Sequence, residues 1–169
     1  MVKKILITGS AGFIGYSISK LLLEKNFQVI GIDNFSKYYD IKIKKKRTLE
    51  LSKHKNFKFY KIDISNLAKL KKIFFKEKFD NILHLAAQAG VRYSFINPGE
   101  YIKTNLNGFF NIIDLSKQKK IKHFIYASSS SVYGLTEKKT SSELDNVDHP
   151  ISLYAATKRS NELIAHSYS

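Results

Sequence analysis

The residues best suited to chemistry include a tyrosine and a lysine near the end of the sequence. Tyr154 and Lys158 are four positions apart in a segment that predicts a helix from about Ser152, so both side chains share one face. A free tyrosine has a pKa of about 10, and a neighbouring ammonium group favours the phenolate. The pair therefore predicts a base that works near neutral pH, although a tyrosine and a lysine on a helix are more often plain surface residues.

A run of four serines, Ser128 to Ser131, follows an apolar segment that predicts a strand. Open α/β sheets bind their ligands beyond the carboxyl ends of the strands. A serine there can donate a hydrogen bond to the substrate oxygen that Tyr154 would deprotonate, although a polar loop explains most of the four equally well. The position of Ser129 relative to Val132-Tyr133-Gly134, which follow the run, favours Ser129 as the catalytic serine.

Three glycines at GxxGxxG spacing, Gly9, Gly12 and Gly15, lie between a short apolar run and a helical pattern. Glycine lets the backbone turn tightly and approach a phosphate, while the free N–H groups and the dipole of a helix start attract the anion. A plain tight turn is the alternative. The position between a strand and a helix predicts instead a site for a dinucleotide pyrophosphate.

Asp33 ends the second predicted strand, within about 20 residues of Gly15. A carboxylate there can accept hydrogen bonds from the adenosine ribose and repel a 2′-phosphate, which favours NAD over NADP. Two alternatives stay open, since Asp33 could cap a loop and Lys37 could favour a phosphate. Asp63 and Ile64 follow the third strand, where Asp63 could bond the adenine amino group or cap the next helix.

Apolar runs and helical periodicity alternate along the chain. Strands are predicted at residues 5–7, 27–32, 57–62, 81–86 and 124–127, and helices at 13–25, 42–53, 67–75, 98–113 and from 152 onward. This alternation predicts an α/β fold with a doubly wound parallel sheet of the Rossmann type. Because no strand follows the last helix, we expect residues 1–169 to form one NAD-binding domain that is truncated before the last strands of its sheet.

Composition narrows the class of protein. The chain has 169 residues, 43% of them hydrophobic and 25% charged, which suits one globular domain. No apolar run reaches the roughly 20 residues that span a bilayer. The lack of cysteine excludes disulfides, thiolate catalysis and cysteine-ligated zinc. We therefore expect a cytoplasmic protein with no membrane partner and no metal.

A net charge of +15 raises the question of nucleic acid as a partner. The basic residues include the stretch Lys117 to Lys122 and a cluster on the second predicted helix, which consists of Lys42, Lys44, Lys45, Lys46 and Arg47. Nearly all the basic residues are lysines spread through the chain, which is typical of a compositional bias. We interpret these helices as solvated faces and expect no nucleic-acid partner.

Taken together, the motifs TGSAGFIG, SSSSVYG and YAATK resemble the extended short-chain dehydrogenase/reductase family over essentially the whole chain. Three further segments resemble UDP-glucuronate 4-epimerases, including the representatives in bacterial capsule biosynthesis. These segments are His84 to Ser94, Asp33 to Asp40 and Asp148-His149-Pro150. The resemblance implies an NAD-dependent enzyme whose relatives continue into further strands and a smaller domain that holds the UDP-sugar, and that domain is absent here.

The resemblance also implies roles for individual residues. Contacts to NAD are implied for Gly9, Gly12, Phe13, Ile14, Gly15, Asp33, Asn34, Asp63, Ile64, Leu85, Ala86, Ala87, Thr104, Asn105, Tyr154 and Lys158. The catalytic residues would be Ser129, Tyr154 and Lys158. Arg92 could face the sugar carboxylate or the phosphates, or it could be structural. Where a related galactose epimerase has a cofactor-contacting lysine, this chain has Ala89, so that contact is not expected.

The mechanism implied by the resemblance is a transient oxidation. Tyr154 would take the proton from the sugar O4 while C4 gives a hydride to NAD, and the 4-keto sugar would rotate and take the hydride back on its other face. A dehydratase or decarboxylase is an alternative, although a dehydratase would typically carry acidic residues near Ser129 to Ser131. Another is an NAD-binding module without catalysis. The expected partners are a UDP-sugar and either a second copy or the missing C-terminal half.

Overall fold

Five parallel strands, in the order β3-β2-β1-β4-β5, form the centre of the computed structural model, which describes residues 3–136 and 139–169. The strands are β1 Lys4–Thr8, β2 Gln28–Asp33, β3 Phe57–Lys61, β4 Asn81–His84 and β5 His123–Tyr126. The main helices are α1 Phe13–Glu24, α2 Ile41–Leu51, α3 Leu67–Lys76, α4 Val91–Ile96, α5 Pro98–Tyr101, α6 Phe109–Gln118 and α7 Leu153–Tyr168. A π-helical segment, Ile102–Gly108, joins α5 to α6.

Apolar side chains cover both faces of the sheet. One core cluster joins Leu6, Ile30 and Ile82 of the strands to residues of α3 and α6, among them Leu70 and Ile112. A second cluster joins Ile7 and Val29 to Leu23 of α1 and Leu51 of α2. Successive residues of a strand point to opposite faces of the sheet, so the two clusters lie on opposite faces. Each face is therefore covered by helices. The predicted doubly wound parallel sheet is therefore confirmed.

Three details differ from the sequence prediction. Strand β4 ends at His84 rather than residue 86, because β1 ends at Thr8 and the N–H groups of Leu85 and Ala86 bond to the side-chain hydroxyl of Thr8. The predicted helix at 98–113 is interrupted by the π-helical segment and runs on to Gln118. The short helix α4 and a 3₁₀ turn at Ser130–Tyr133 were not predicted.

A buried hydrogen-bond cluster fixes the ends of β1 and β4. The Thr8 hydroxyl oxygen accepts from the N–H groups of Leu85 and Ala86, at 3.2 and 3.1 Å. With both of its acceptor sites occupied, this hydroxyl has its hydrogen left to donate to Nδ1 of His84, 2.9 Å away. Nδ1 must then be unprotonated. Burial, followed by the charge of Lys158, lowers the pKa of His84 to about 3.

No helix among residues 3–136 and 139–169 is long and apolar enough to cross a membrane.

We predict that His84 makes the fold sensitive to acid. Its pKa falls from 6.5 in the unfolded chain to about 3 in the folded chain, so the unfolded chain binds the extra proton between these values. The free energy of unfolding should therefore fall by about 2 kcal/mol from about pH 6.5 to about pH 4.5 through this group. Urea denaturation of the wild type and of His84→Asn at both pH values measures the difference.

The exposed His123 offers a matched control. His123→Asn should keep the pH dependence of the wild type, whereas His84→Asn should flatten it. An equal slope in all three proteins would mean that protonation of His84 does not oppose folding.

Candidate active site

The three motif glycines pack closely against one another and against the end of β4. Gly9 has a φ of +73°, and a Cβ there would lie 2.8 Å from the backbone nitrogen of Ala86. A Cβ on Gly15 would lie 2.1 Å from the carbonyl oxygen of Gly9. Gly12 is the N-cap of α1 and makes no side-chain cap hydrogen bond. The first-turn amides are therefore not capped by a side chain, which suits an anion.

A cleft of about 470 Å³ lies above this glycine turn. It is bounded by the ends of β2 and β4, by the loop after β3 and by α2, and this volume is within the usual range for cofactor pockets. Twelve of the predicted cofactor residues line it: Gly9, Gly12, Phe13, Ile14, Gly15, Asp33, Asn34, Ile64, Leu85, Ala86, Ala87 and Thr104. The other four, Asp63, Asn105, Tyr154 and Lys158, are not among its lining residues.

Asp33 is buried at the end of β2, with 6% of its surface exposed. Its Oδ2 accepts from the N–H of Ala11 at 3.2 Å, and its Oδ1 accepts from the N–H of Phe35 at 2.8 Å. Oδ1 also lies 3.6 Å from the ammonium nitrogen of Lys44, which was not predicted as a site residue. Lys37, the sequence's candidate for binding a phosphate, is exposed and does not line the cleft.

Asp63 holds the loops after β2 and β3 together. Its Oδ1 accepts from the N–H and the hydroxyl of Ser65 at 2.9 and 2.7 Å, and its Oδ2 accepts from the side-chain amide of Asn34 at 3.1 Å. Burial opposes ionisation, but these hydrogen bonds, together with the charge of Lys103, leave the pKa of Asp63 below its ordinary value. The neighbouring Ile64 lines the cleft.

Asn105, in the π-helical segment, connects the cofactor cleft to α7. Its side chain accepts from the N–H of Gln88 at 2.8 Å and donates to the carbonyl of Gln88 and the hydroxyl of Thr157, both at 3.1 Å. Its own carbonyl accepts from the side chain of Asn161 at 2.7 Å. All of these groups are buried, so the network fixes α7 relative to the loop after β4.

Lys158 is buried on α7, with 4% of its surface exposed. Burial lowers the pKa of Lys158 to about 8, and the negative charge of Glu162 opposes this shift only in part. Tyr154 lies one turn earlier and is partly buried, with its ring edge-on to Tyr101 at 6.1 Å between centroids. The hydroxyl of Tyr101 lies 2.8 and 2.6 Å from the carbonyl oxygens of Ala89 and Gly90, which share its single hydrogen, and these contacts anchor the ring beside the cleft.

The serine run reaches α7 through the 3₁₀ turn that follows it. Ser129 is partly buried, and its hydroxyl accepts from the N–H of Ser131 at 3.2 Å. The turn then packs against α7. The hydroxyl of Ser128, in contrast, donates to the carboxylate of Glu162 on α7. Two serines of the run thus have distinct partners. Arg92 lies exposed on α4 and does not line the cleft.

Two basic residues of α2 turn inward, against our interpretation of this helix as a solvated face. Lys44 has 6% of its surface exposed, and both Lys44 and Arg47 line the cleft. The guanidinium of Arg47 donates to the carbonyl of Ala11 at 3.4 Å and to the hydroxyl of Tyr39 at 3.3 Å. The buried residues of α2 are Lys44, Thr48 and Leu51. In the sequence they are four and three positions apart, a spacing that places them on one face of a helix and was the available signal that Lys44 turns inward.

The chain matches known proteins along nearly its whole length. The sequence model of a family described as GDP-mannose 4,6 dehydratase matches residues 6–169. Protein CapI from Staphylococcus aureus is 51% identical over 166 residues, which cover 98% of this chain and 49% of that protein. UDP-glucuronate 4-epimerase 2 from Arabidopsis thaliana is 45% identical over 166 residues, which cover 98% of this chain and 38% of that protein.

Among solved structures, the fold matches a UDP-glucuronic acid 4-epimerase from Bacillus cereus in complex with UDP-glucuronic acid and NAD. The TM-score is 0.86 at 35% sequence identity, and the match covers 98% of this chain and 52% of that one. The chain spans about half the length of CapI, the curated relative described above.

The close contact at Gly15 yields a stability prediction. Gly15→Ala places a Cβ where the Gly9 carbonyl lies, so either the backbone of the turn moves or the variant unfolds more easily. We expect a loss of about 2 kcal/mol or more in the free energy of unfolding, measured by urea denaturation. Gly99→Ala is the matched control, because nothing lies within 4 Å of its added Cβ. Equal stability of the two variants would show that the turn has room.

Burial of Lys158 yields a second prediction. Its pKa falls from 10.5 in the unfolded chain to about 8 in the folded one, so the cost of burying its charge is complete below about pH 8 and disappears as the pH rises to 10.5. Lys158→Met should therefore raise the free energy of unfolding at pH 7, by an amount on the order of 1–3 kcal/mol. The control Lys42→Met, at an exposed position on α2, should change it little. A destabilised Lys158→Met would contradict the prediction.

Proposed function

Because the chain belongs to the NAD-dependent epimerase/dehydratase family, the extended short-chain dehydrogenases/reductases, we propose that it is the NAD-binding part of a UDP-glucuronate 4-epimerase. The observation that carries the proposal is the cleft in which the uncapped start of α1 and the buried Asp33 lie together, tied through Asn105 to the helix that bears Tyr154 and Lys158. The relatives named UDP-glucuronate 4-epimerase support the choice of sugar.

The residues of the cleft fit a dinucleotide. Because Gly9 and Gly15 have no side chains, the turn packs closely against the backbone around it. The amides at the start of α1, which no side chain caps, can then bind a pyrophosphate. Asp33 has acceptor capacity for ribose hydroxyls, and the apolar Ile64 can contact an adenine ring. NAD bound here would supply a hydride acceptor. The B. cereus epimerase, solved with NAD, supports this choice of cofactor.

The residues of α7 supply the proton transfer. Tyr154 takes the proton from the sugar O4, and Lys158, with a pKa of about 8, is mostly charged at pH 7 and favours the phenolate. Ser129 donates a hydrogen bond to the same sugar oxygen. The network around Asn105 holds α7 in place during this step. When the 4-keto sugar is reduced again, Tyr154 returns the proton to O4.

The remaining substrate contacts would come from a region that corresponds to the second half of the relatives, since this chain spans 49% of the length of CapI. Arg92 is exposed on α4, where its guanidinium is free to meet a carboxylate or a phosphate of the UDP-sugar. Activity therefore requires a polypeptide that corresponds to the relatives' second half, and capsule polysaccharide biosynthesis is the context we propose. We propose a cytoplasmic location together with this substrate.

Two alternatives have an observation in their favour. An NAD-binding module without catalysis is supported by the cleft, whose lining includes twelve of the predicted cofactor residues but neither Tyr154 nor Lys158. A dehydratase is supported by the description of the matching family, GDP-mannose 4,6 dehydratase. Against it, residues 128–131 are all serines, so the acidic residues typical of a dehydratase are absent from that position.

The test reconstitutes the enzyme. The chain is mixed with the second half of a related epimerase and given UDP-glucuronate, with no added reductant. We expect UDP-galacturonate to form, and Tyr154→Phe to lower the rate about 10²- to 10⁴-fold because the general base is lost. Tyr168→Phe, on the same helix but bonded to Asp114, is the control and should keep full activity.

Each result separates the candidates. Binding of NAD without conversion in any mixture favours the cofactor-binding module, and release of a 4-keto or pentose product favours a dehydratase or decarboxylase. Full activity of Tyr154→Phe would refute the assignment of the base.

A further inference from the structure

Lys44 is a buried cation that the proposed reaction does not use. Its side chain is 8% exposed, its ammonium nitrogen lies 3.6 Å from Oδ1 of Asp33, and the ring of Tyr39 lies 4.8 Å away. Within residues 3–136 and 139–169, Asp33 is its ion-pair partner. An ammonium group has three donors, so Lys44 keeps donors for a ligand in the cleft that it lines.

Asp33 has complementary capacity as an acceptor. Its Oδ1 is shared by the N–H of Phe35 and by Lys44, whereas its Oδ2 accepts from the N–H of Ala11. Each carboxylate oxygen has about two acceptor sites, so Oδ2 can accept one more hydrogen bond. A buried acceptor beside a buried donor matches a vicinal diol, in which one hydroxyl donates and its neighbour accepts. The adenosine ribose of NAD carries such a diol.

The charges around this pair set its preference between ligands. Lys44 neutralises Asp33, and Arg47 adds a second cation one turn further along α2, also at the cleft. Two cations beside one carboxylate attract a phosphate monoester, while the carboxylate itself repels it. Rejection of a 2′-phosphate at this site therefore depends on Asp33 alone, and binding of the diol depends on both members of the pair.

We propose that Lys44 determines cofactor specificity, an inference that rests on the proposed NAD site. Lys44 binds the adenosine ribose diol together with Asp33. When Asp33 loses its charge, Lys44 becomes a ligand for a 2′-phosphate. The pattern of lysines along α2 does not reveal this role. The buried ion pair does, because it places one lysine of the helix at the ribose end of the cleft.

The first experiment compares NAD binding by calorimetry in three proteins. Lys44→Met should weaken NAD about tenfold, as expected for the loss of one charged hydrogen bond. Lys46→Met, an exposed position on the same helix, should bind NAD like the wild type. If Lys44→Met bound NAD with the affinity of the wild type, this inference would be overturned, whereas the proposed function would stand. Failure of the wild type to bind NAD would overturn the proposed function and this inference with it.

The second experiment uses NADP and includes a double variant that leaves neither charge of the buried pair without its partner. Asp33→Asn should lower the ratio of the NADP to the NAD dissociation constant at least about tenfold, because Lys44 and Arg47 then face the phosphate unopposed. Asp33→Asn/Lys44→Met removes both charges of the pair and should lose that gain. A gain that survives in the double variant would assign the phosphate to another group and overturn the role of Lys44.

Discussion

The packing of backbone on backbone at Gly9 and Gly15 is the constraint on which the rest of the site depends. A Cβ on Gly15 would lie 2.1 Å from the carbonyl oxygen of Gly9, and one on Gly9 would lie 2.8 Å from Ala86. These contacts let α1 start directly above the ends of β1 and β4. The amides of its first turn therefore face the same cleft as Asp33, and this arrangement suits the dinucleotide that we propose binds there.

Buried polar groups extend this arrangement from the cofactor to the proposed catalytic helix. The Thr8 hydroxyl binds the backbone just beyond β4, and Asn105 joins Gln88 in the next loop to Thr157 on α7. Each group in these networks is satisfied by another, so their burial specifies one arrangement of the loops. The neutral His84 and the buried Lys158, both with lowered pKa values, are part of the same region.

Much of this was predictable from the sequence, and what was not has physical reasons. The glycine spacing and the apolar strands predicted the sheet and the cleft, because both depend on local patterns. The π-helical segment has no such pattern, since its carbonyl at Asn105 bonds to Asn161, far along the chain. Lys44 was taken for a surface residue because lysines are rarely buried. Its partners in the buried position, Asp33 and the ring of Tyr39, come from outside α2 and could not be read from the pattern of that helix.

A crystal structure of the chain grown with NAD tests the central claim most directly. The account predicts the pyrophosphate against the amides of residues 12–15, the adenosine ribose at Asp33, and the nicotinamide directed toward Tyr154 on α7. A cofactor bound elsewhere, or one whose nicotinamide points away from α7, would contradict the claim that this chain is the NAD-binding and proton-transferring part of an epimerase.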